Sequence, residues 1–253
     1  MSDDMDPERR RAELAERLEE VRARIAAATA DAGRDEPPTL VVITKHFPRA
    51  DLDHLVDLGV RDVGENREQE ASAKLAEAGG PPPGVRTHFV GQLQSKKTGA
   101  VARWADVVHS VDRGKLVGGL ARGAEAAGRE LTVLLQVNLD EPGHLGAAGA
   151  VEVSGASGAT RGGAAPEDLP DLAAQVARSP LRLGGLMAVA PRDGDPDEAF
   201  ARLAELSARL QQEHPEATWI SAGMSGDLEA AVRHGATHLR VGTAILGSRP
   251  PQR

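Results

Sequence analysis

Eight short apolar runs, each followed by a segment with helical spacing, constrain the fold of this chain more tightly than any other feature. The runs are Leu40–Lys45, Asp62–Asn66, Thr87–Gly91, Val107–Val111, Leu131–Asn138, Leu183–Val189, Thr218–Ala222 and Thr237–Val241. Several are apolar at nearly every position, as parallel strands covered on both faces are. Helices are expected between them, near 51–58, 68–78, 96–104, from the end of the fourth run to about 127, and near 166–178, 196–213 and 227–234. A longer one precedes them over 7–32, where Leu14, Leu18, Val21 and Ile25 fall on one face and Gly33 ends the pattern. Eight βα units in 253 residues predict an α/β fold, a single (β/α)8 TIM barrel over 1–253 with an extra N-terminal helix at 1–33. A doubly wound open sheet is the alternative, but no G-x-G-x-x-G opens a helix after the first strand. The stretch 141–165 is rich in Gly, Ala and Ser and reads as a flexible loop inserted after the fifth strand.

Composition narrows the chemistry. The chain has no Cys, which removes disulfides, thiolate nucleophiles and zinc–thiolate sites, and it has no Tyr. Its formal net charge of −8 argues against broad binding to nucleic acid or to a membrane surface. No stretch approaches the roughly 18 apolar residues of a membrane span. The acidic start Met1–Asp6 lacks the pattern of a secretory leader, so the cytoplasm is the expected location.

Candidate chemistry clusters where barrel enzymes keep it, at the C-terminal ends of strands. Lys45 closes the first apolar run and shares a face with Val41 and Ile43. An apolar face disfavours an ammonium, and a free amine is a nucleophile. The seventh strand runs into Ser221-Ala222-Gly223-Met224-Ser225-Gly226-Asp227, where Ser225 is placed to open a helix. The eighth runs into Gly242-Thr243. Glycines, hydroxyls and free N–H groups at these two positions suit a phosphate. Arg240 alternates with Leu239 and Val241 and points into the barrel, where it needs an acceptor, with Glu65 as one structural candidate. An amine facing a phosphate cradle suits an aldehyde that carries a phosphate. Pyridoxal 5′-phosphate (PLP) fits, and so does a sugar phosphate in a Schiff-base aldolase.

The stretches V-I-T-K-H-F-P (42–48), V-G-E-N-R-E-Q-E (63–70), H-F-V-G-Q-L-Q-S-K-K (88–97), V-H-S-V-D-R (108–113), L-L-Q-V-N (134–138), G-L-M-A-V (185–189), G-M-S-G-D-L-E-A-A (223–231) and H-L-R-V-G-T-A-I-L-G (238–247) resemble, in order, the YggS/PROSC-type family of PLP homeostasis proteins. Those proteins resemble the barrel domain of alanine racemase. The resemblance implies Lys45 as the Schiff-base lysine and Asn66 beside the cofactor ring. It implies Ser225, Gly242 and Thr243 at the phosphate, with Ser221 and Met224 lining it. Met187 joins the cofactor site and Arg240 faces the pyridine nitrogen. Arg67 stands where many members have Tyr, and Lys97 follows Lys96 where many have an Asn-Lys pair.

The expected function is therefore PLP holding and delivery in PLP homeostasis, with PLP-dependent apoenzymes as candidate partners. The alternative is a PLP-dependent amino-acid racemase. Racemisation needs acid/base groups on both faces of a carbanion, and in alanine racemase a tyrosine serves the second face. This chain has none, and His46 and His88 are the nearest substitutes by sequence.

Overall fold

The computed structural model describes residues 6–140 and 162–248. Eight parallel strands close a barrel in chain order. They are β1 (Thr39–Ile43), β2 (Asp62–Glu65), β3 (Arg86–Phe89), β4 (Val107–Val111), β5 (Thr132–Gln136), β6 (Arg182–Met187), β7 (Trp219–Ser221) and β8 (His238–Val241). The helices are α1 (Pro7–Asp31), α2 (Arg49–Asp57), α3 (Glu68–Ala76), α4 (Thr98–Ala102), α5 (Gly114–Ala127), α6 (Leu169–Ala177), α7 (Pro196–Glu213), α8 (Leu228–Arg233) and α9 (Thr243–Leu246). The barrel expected from the alternating pattern is the barrel found.

The barrel explains α1. The helix after β8, α9, spans only one turn and cannot cover the sheet beside it. The N-terminal helix completes the outer ring there, packing against α8, α9 and α2. It buries Leu14, Leu18, Val21 and Ile25, the stripe read from the sequence. Arginines pin its polar flanks: Arg10 holds Asp51 at 2.7 Å and Arg24 holds Glu229 at 2.8 Å.

Inside the barrel the filling is divided. Val107, Leu134 and Met187 form an apolar plug with Val189 and Trp219. Beside it lies a set of polar residues, Asp62, His88, His109, Ser221, His238 and Arg240, all buried. Two glycines allow close approach. A Cβ on Gly64 would lie 2.4 Å from Ile43 Cδ1, so the bare position leaves room for the β1 side chains. Gly185, at φ +146°, lets β6 meet Trp219 of β7, whose carbonyl oxygen a Cβ would approach to 2.0 Å.

Three local expectations change. The first strand ends at Ile43, and Lys45 lies in the turn beyond it. The helix after the seventh strand is capped by Asp227, not opened by Ser225; the Asp227 carboxylate accepts from Met224 N at 2.6 Å and fixes the loop. The expected loop 141–165 lies mostly outside the described residues. Of its end, Ala164 forms a parallel bridge with Val137 and so belongs to the barrel rim.

Candidate functional site

Lys45 is half-buried, and among the described residues its amine has no hydrogen-bond or ion-pair partner. The backbone around it is clamped. Phe47 N donates to Thr44 O at 3.1 Å, closing a tight turn with Lys45 and His46 at its centre. His46 adopts φ +70°, a left-handed conformation that a side chain disfavours. Two residues one turn apart on α3 hold this turn: Glu70 accepts from His46 N, and Lys74 Nζ donates to Thr44 O at 2.7 Å. Lys74 also pairs with Glu65 at 2.7 Å, and Thr44 Oγ1 donates to the same oxygen at 2.6 Å. Lys74, Glu65 and Thr44 are all buried. Glu65 thus serves Lys74, not Arg240.

Strand β1 lies between β2 and β8 in the barrel. Lys45 therefore stands between the segment that starts at Asn66 and the one that starts at Gly242. Asn66 is half-buried and closes against Gly91, where a Cβ would come within 1.9 Å of the Asn66 carbonyl oxygen. Gly242 packs on β1, with a virtual Cβ 3.1 Å from Ile43 O. The β7 and β8 loops meet through Arg240 N, which donates to Gly223 O at 2.9 Å. Within the described residues no acceptor takes the backbone N–H of Ser225, Gly242 or Thr243, and the hydroxyls of Ser225 and Thr243 are also unpaired. Met224, 39% exposed, precedes Ser225 in this loop. A cavity of about 600 Å³ opens beside it, lined by Met224, Asp227, Gln136, Asn138 and Val189. A second, of about 330 Å³, lies past β2 and is lined by Asn66, Arg67, Glu68, Phe89 and Lys97. Lys45 and Arg240 line neither.

Met187 and Ser221 sit deeper. Met187 belongs to the apolar plug. The Ser221 hydroxyl is fully buried and engaged downward: Arg240 Nη1 donates to it at 2.6 Å, and His109 Nδ1 lies 2.8 Å away. Arg240 Nη2 donates to Ala188 O at 2.8 Å. Burial lowers the Arg240 guanidinium to about 10, against the charge of Asp227, and it remains a cation at neutral pH. His88, named above as a substitute acid, is sealed in the interior between His109 and Asp62 and cannot reach the mouth. Sequence reading passed over Glu70, Lys74, Asp62 and His109, and offered Glu65 to Arg240 where its partner is Lys74. Polar residues at inward positions of apolar strands were the available signal for Asp62 and His109.

The geometry is that of a barrel with a lysine between two ligand-type loops, and the comparisons agree with it. Residues 18–250 match the family model of the alanine racemase N-terminal domain. A pyridoxal phosphate homeostasis protein of Mycobacterium tuberculosis is 44% identical over 256 residues, covering 95% of this chain and 94% of the relative. The structure of PipY from Synechococcus elongatus with PLP bound superposes with a TM-score of 0.73 at 33% identity, covering 92% of this chain and all of PipY. An alanine racemase from Streptomyces coelicolor shares the fold alone, at TM-score 0.67 and 20% identity, and this chain covers 58% of it. The fold thus places the chain in the alanine racemase N-terminal domain class. Within that class it belongs to the family of pyridoxal phosphate homeostasis proteins.

Proposed function

We propose that this chain binds PLP and holds it for PLP homeostasis, without efficient turnover of amino acids. The observation that carries the reading is the half-buried, unpartnered amine of Lys45, fixed by its clamped turn next to a cradle of unpaired donors. When bound, PLP supplies an aldehyde for a Schiff base and an electron-withdrawing ring. Lys45 would supply the amine for that Schiff base. Ser225, Gly242 and Thr243 would hold the phosphate, with Met224 beside them. Asn66 would border the ring, and Arg240, held by Ser221 and Ala188, would face its nitrogen. Met187 forms part of the floor.

Two features oppose turnover. Arg240 stays charged at neutral pH, and a cation beside the pyridine nitrogen disfavours its protonation and weakens the ring as an electron sink. Among the described residues, none of the candidate acids is free to serve the second face of a substrate carbon. The chain has no Tyr, His88 is sealed below, and His46 lies beside Glu70 at 3.5 Å in the strained turn. Holding without turnover suits a cytoplasmic protein that passes PLP to PLP-dependent apoenzymes. None of the described helices is long and apolar enough to cross a membrane.

Two measurements test this. PLP titrated into the chain should give a visible absorption band that Lys45→Ala removes, and pyridoxal without its phosphate should bind far more weakly. Deuterium exchange at Cα of L- and D-alanine should stay far below the roughly 1–1000 per second of ordinary enzymes. Equal binding of pyridoxal and PLP, or exchange in that range, would overturn the reading.

A further inference from the structure

The interior of the barrel holds a polar column that the site description leaves without a role. It starts at Arg240 and Ser221 and continues from Ser221 Oγ to His109 Nδ1 at 2.8 Å. His109 Nε2 lies 2.8 Å from His88 Nδ1, and His88 Nε2 lies 2.9 Å from Asp62 Oδ1. Asp62 is the first residue of β2, at the opposite end of the barrel, where Arg86 Nε also holds it at 2.7 Å. The whole path is buried.

Hydrogen-bond chemistry gives the column a direction. A carboxylate only accepts, so His88 Nε2 carries a proton. Burial lowers His88 and lowers His109 further, so both rings are neutral near pH 7. Asp62 and Asp106 raise His88 while Arg86 lowers it; His88, His238 and Arg240 all lower His109. Neutral His88 must then accept at Nδ1 from His109 Nε2. His109 in turn accepts at Nδ1 from the Ser221 hydroxyl, which leaves the serine oxygen to accept from Arg240. Every donor points from Arg240 toward Asp62, and no member is left unsatisfied.

A buried guanidinium is costly to hold, and no carboxylate touches Arg240 among the described residues; Asp227 acts on it only through its charge, and its hydrogen bonds go to Ser221 Oγ and Ala188 O. We propose that Ser221, His109, His88 and Asp62 are positioning residues for Arg240, joined to it by one directed chain of hydrogen bonds through two neutral imidazoles that Asp62 anchors at the far end. The column fixes where the cation stands beneath the mouth. Its role rests on the PLP reading given above.

The test is 1H–15N correlation on full-length protein labelled at histidine, with His88→Asn and His109→Gln used for assignment. Both imidazoles should be neutral near pH 7 with the proton on Nε2. A proton on Nδ1 of either ring, or a charged ring, would overturn the column. In parallel, Ser221→Ala and Asp62→Asn should each weaken PLP binding about tenfold, the size of one hydrogen bond to a charged group. Asp62→Asn keeps the shape but no longer obliges His88 Nε2 to donate, so its effect reports on the direction of the column. Rescue of PLP affinity by Ser221→Thr but not by Ser221→Ala would support positioning through the hydroxyl. Unchanged affinity in both Ser221→Ala and Asp62→Asn would overturn the proposal. The tautomers report on the column whether or not PLP binds, so failure of the cofactor reading shows separately, as absence of PLP binding by the unaltered chain.

Discussion

Lys45 is steadied by groups within a few ångströms of its own backbone, whereas Arg240 is steadied through a column that runs to the opposite end of the barrel. On the Lys45 side, α3 supplies Lys74, which pairs with Glu65 of β2, and the Glu70 carboxylate; together they hold the peptide units flanking the lysine, and the lysine amine itself has no partner among the described residues. On the Arg240 side, the guanidinium itself is bound, and by neutral groups, the Ser221 hydroxyl and the Ala188 carbonyl. The difference follows from the task each cation would have. An amine that must react has to be positioned by its backbone with its head unpaired. A cation that must stay in place is positioned by its head.

The comparison breaks first at the buried pair. Lys74→Met leaves the Glu65 carboxylate buried without its cation, and its Oε2 already lacks a hydrogen-bond partner. Losing one partner of such a pair should cost about 3–5 kcal/mol of stability in denaturant unfolding. The double change Glu65→Leu with Lys74→Met should recover most of that loss and still impair capture of PLP by Lys45, since Thr44 O and the turn lose their clamp. A double variant with normal capture would show that the pair serves stability alone.

The second effect is pH dependence, and it belongs to the Arg240 side. His88, His109 and His238 are held below the ordinary histidine value by burial, His238 at about 4. Below about pH 6.5 the unfolded chain binds protons that the folded chain does not, so stability falls as pH falls. Each such histidine contributes a slope of about 1.4 kcal/mol per pH unit between its unfolded and folded values. Asp62 adds to the loss only at lower pH. Burial raises it, but His88 and Arg86 outweigh burial and hold it below the usual carboxylate range. Its contribution is present above about pH 4 and is lost as pH falls through its folded value. Unfolding free energies should therefore be flat near pH 7–8 and decline from pH 6.5 to 4. Replacing His109 with Gln should flatten part of that decline, while Lys74→Met should leave its shape unchanged.

The smallest effect concerns the strained turn. His46→Val places a β-branched residue at φ +70° and should cost about 1–2 kcal/mol, chiefly from the backbone. His46→Gly should cost less than His46→Val by thermal unfolding; the reverse order would show that the imidazole contacts, not the turn geometry, dominate.

Much of this was legible in the sequence. The eight apolar runs gave the barrel, because strands buried on both faces leave a continuous apolar signature. The stripe Leu14, Leu18, Val21 and Ile25 gave α1, but not its place in the ring, which depends on α9 being too short. Lys45 and the two loops were legible because their positions at strand ends follow from strand order. The supports were not. Glu70 and Lys74 look like ordinary surface residues of a polar helix, and only the packing of α3 beside the Lys45 turn gives them partners. The resemblance alone put Ser221 at the phosphate; its hydroxyl meets Arg240 and His109 inside the barrel, and the partners of Ser221 and His88 lie on other strands and could not be paired by sequence.

The central claim is that Lys45 is the amine that takes PLP. Borohydride reduction of the PLP-loaded chain, followed by peptide mass mapping, tests it most directly. The account predicts one reduced pyridoxyl adduct, on Lys45, absent in Lys45→Ala; an adduct on Lys74, Lys96 or Lys97 instead, or none at all, would contradict it.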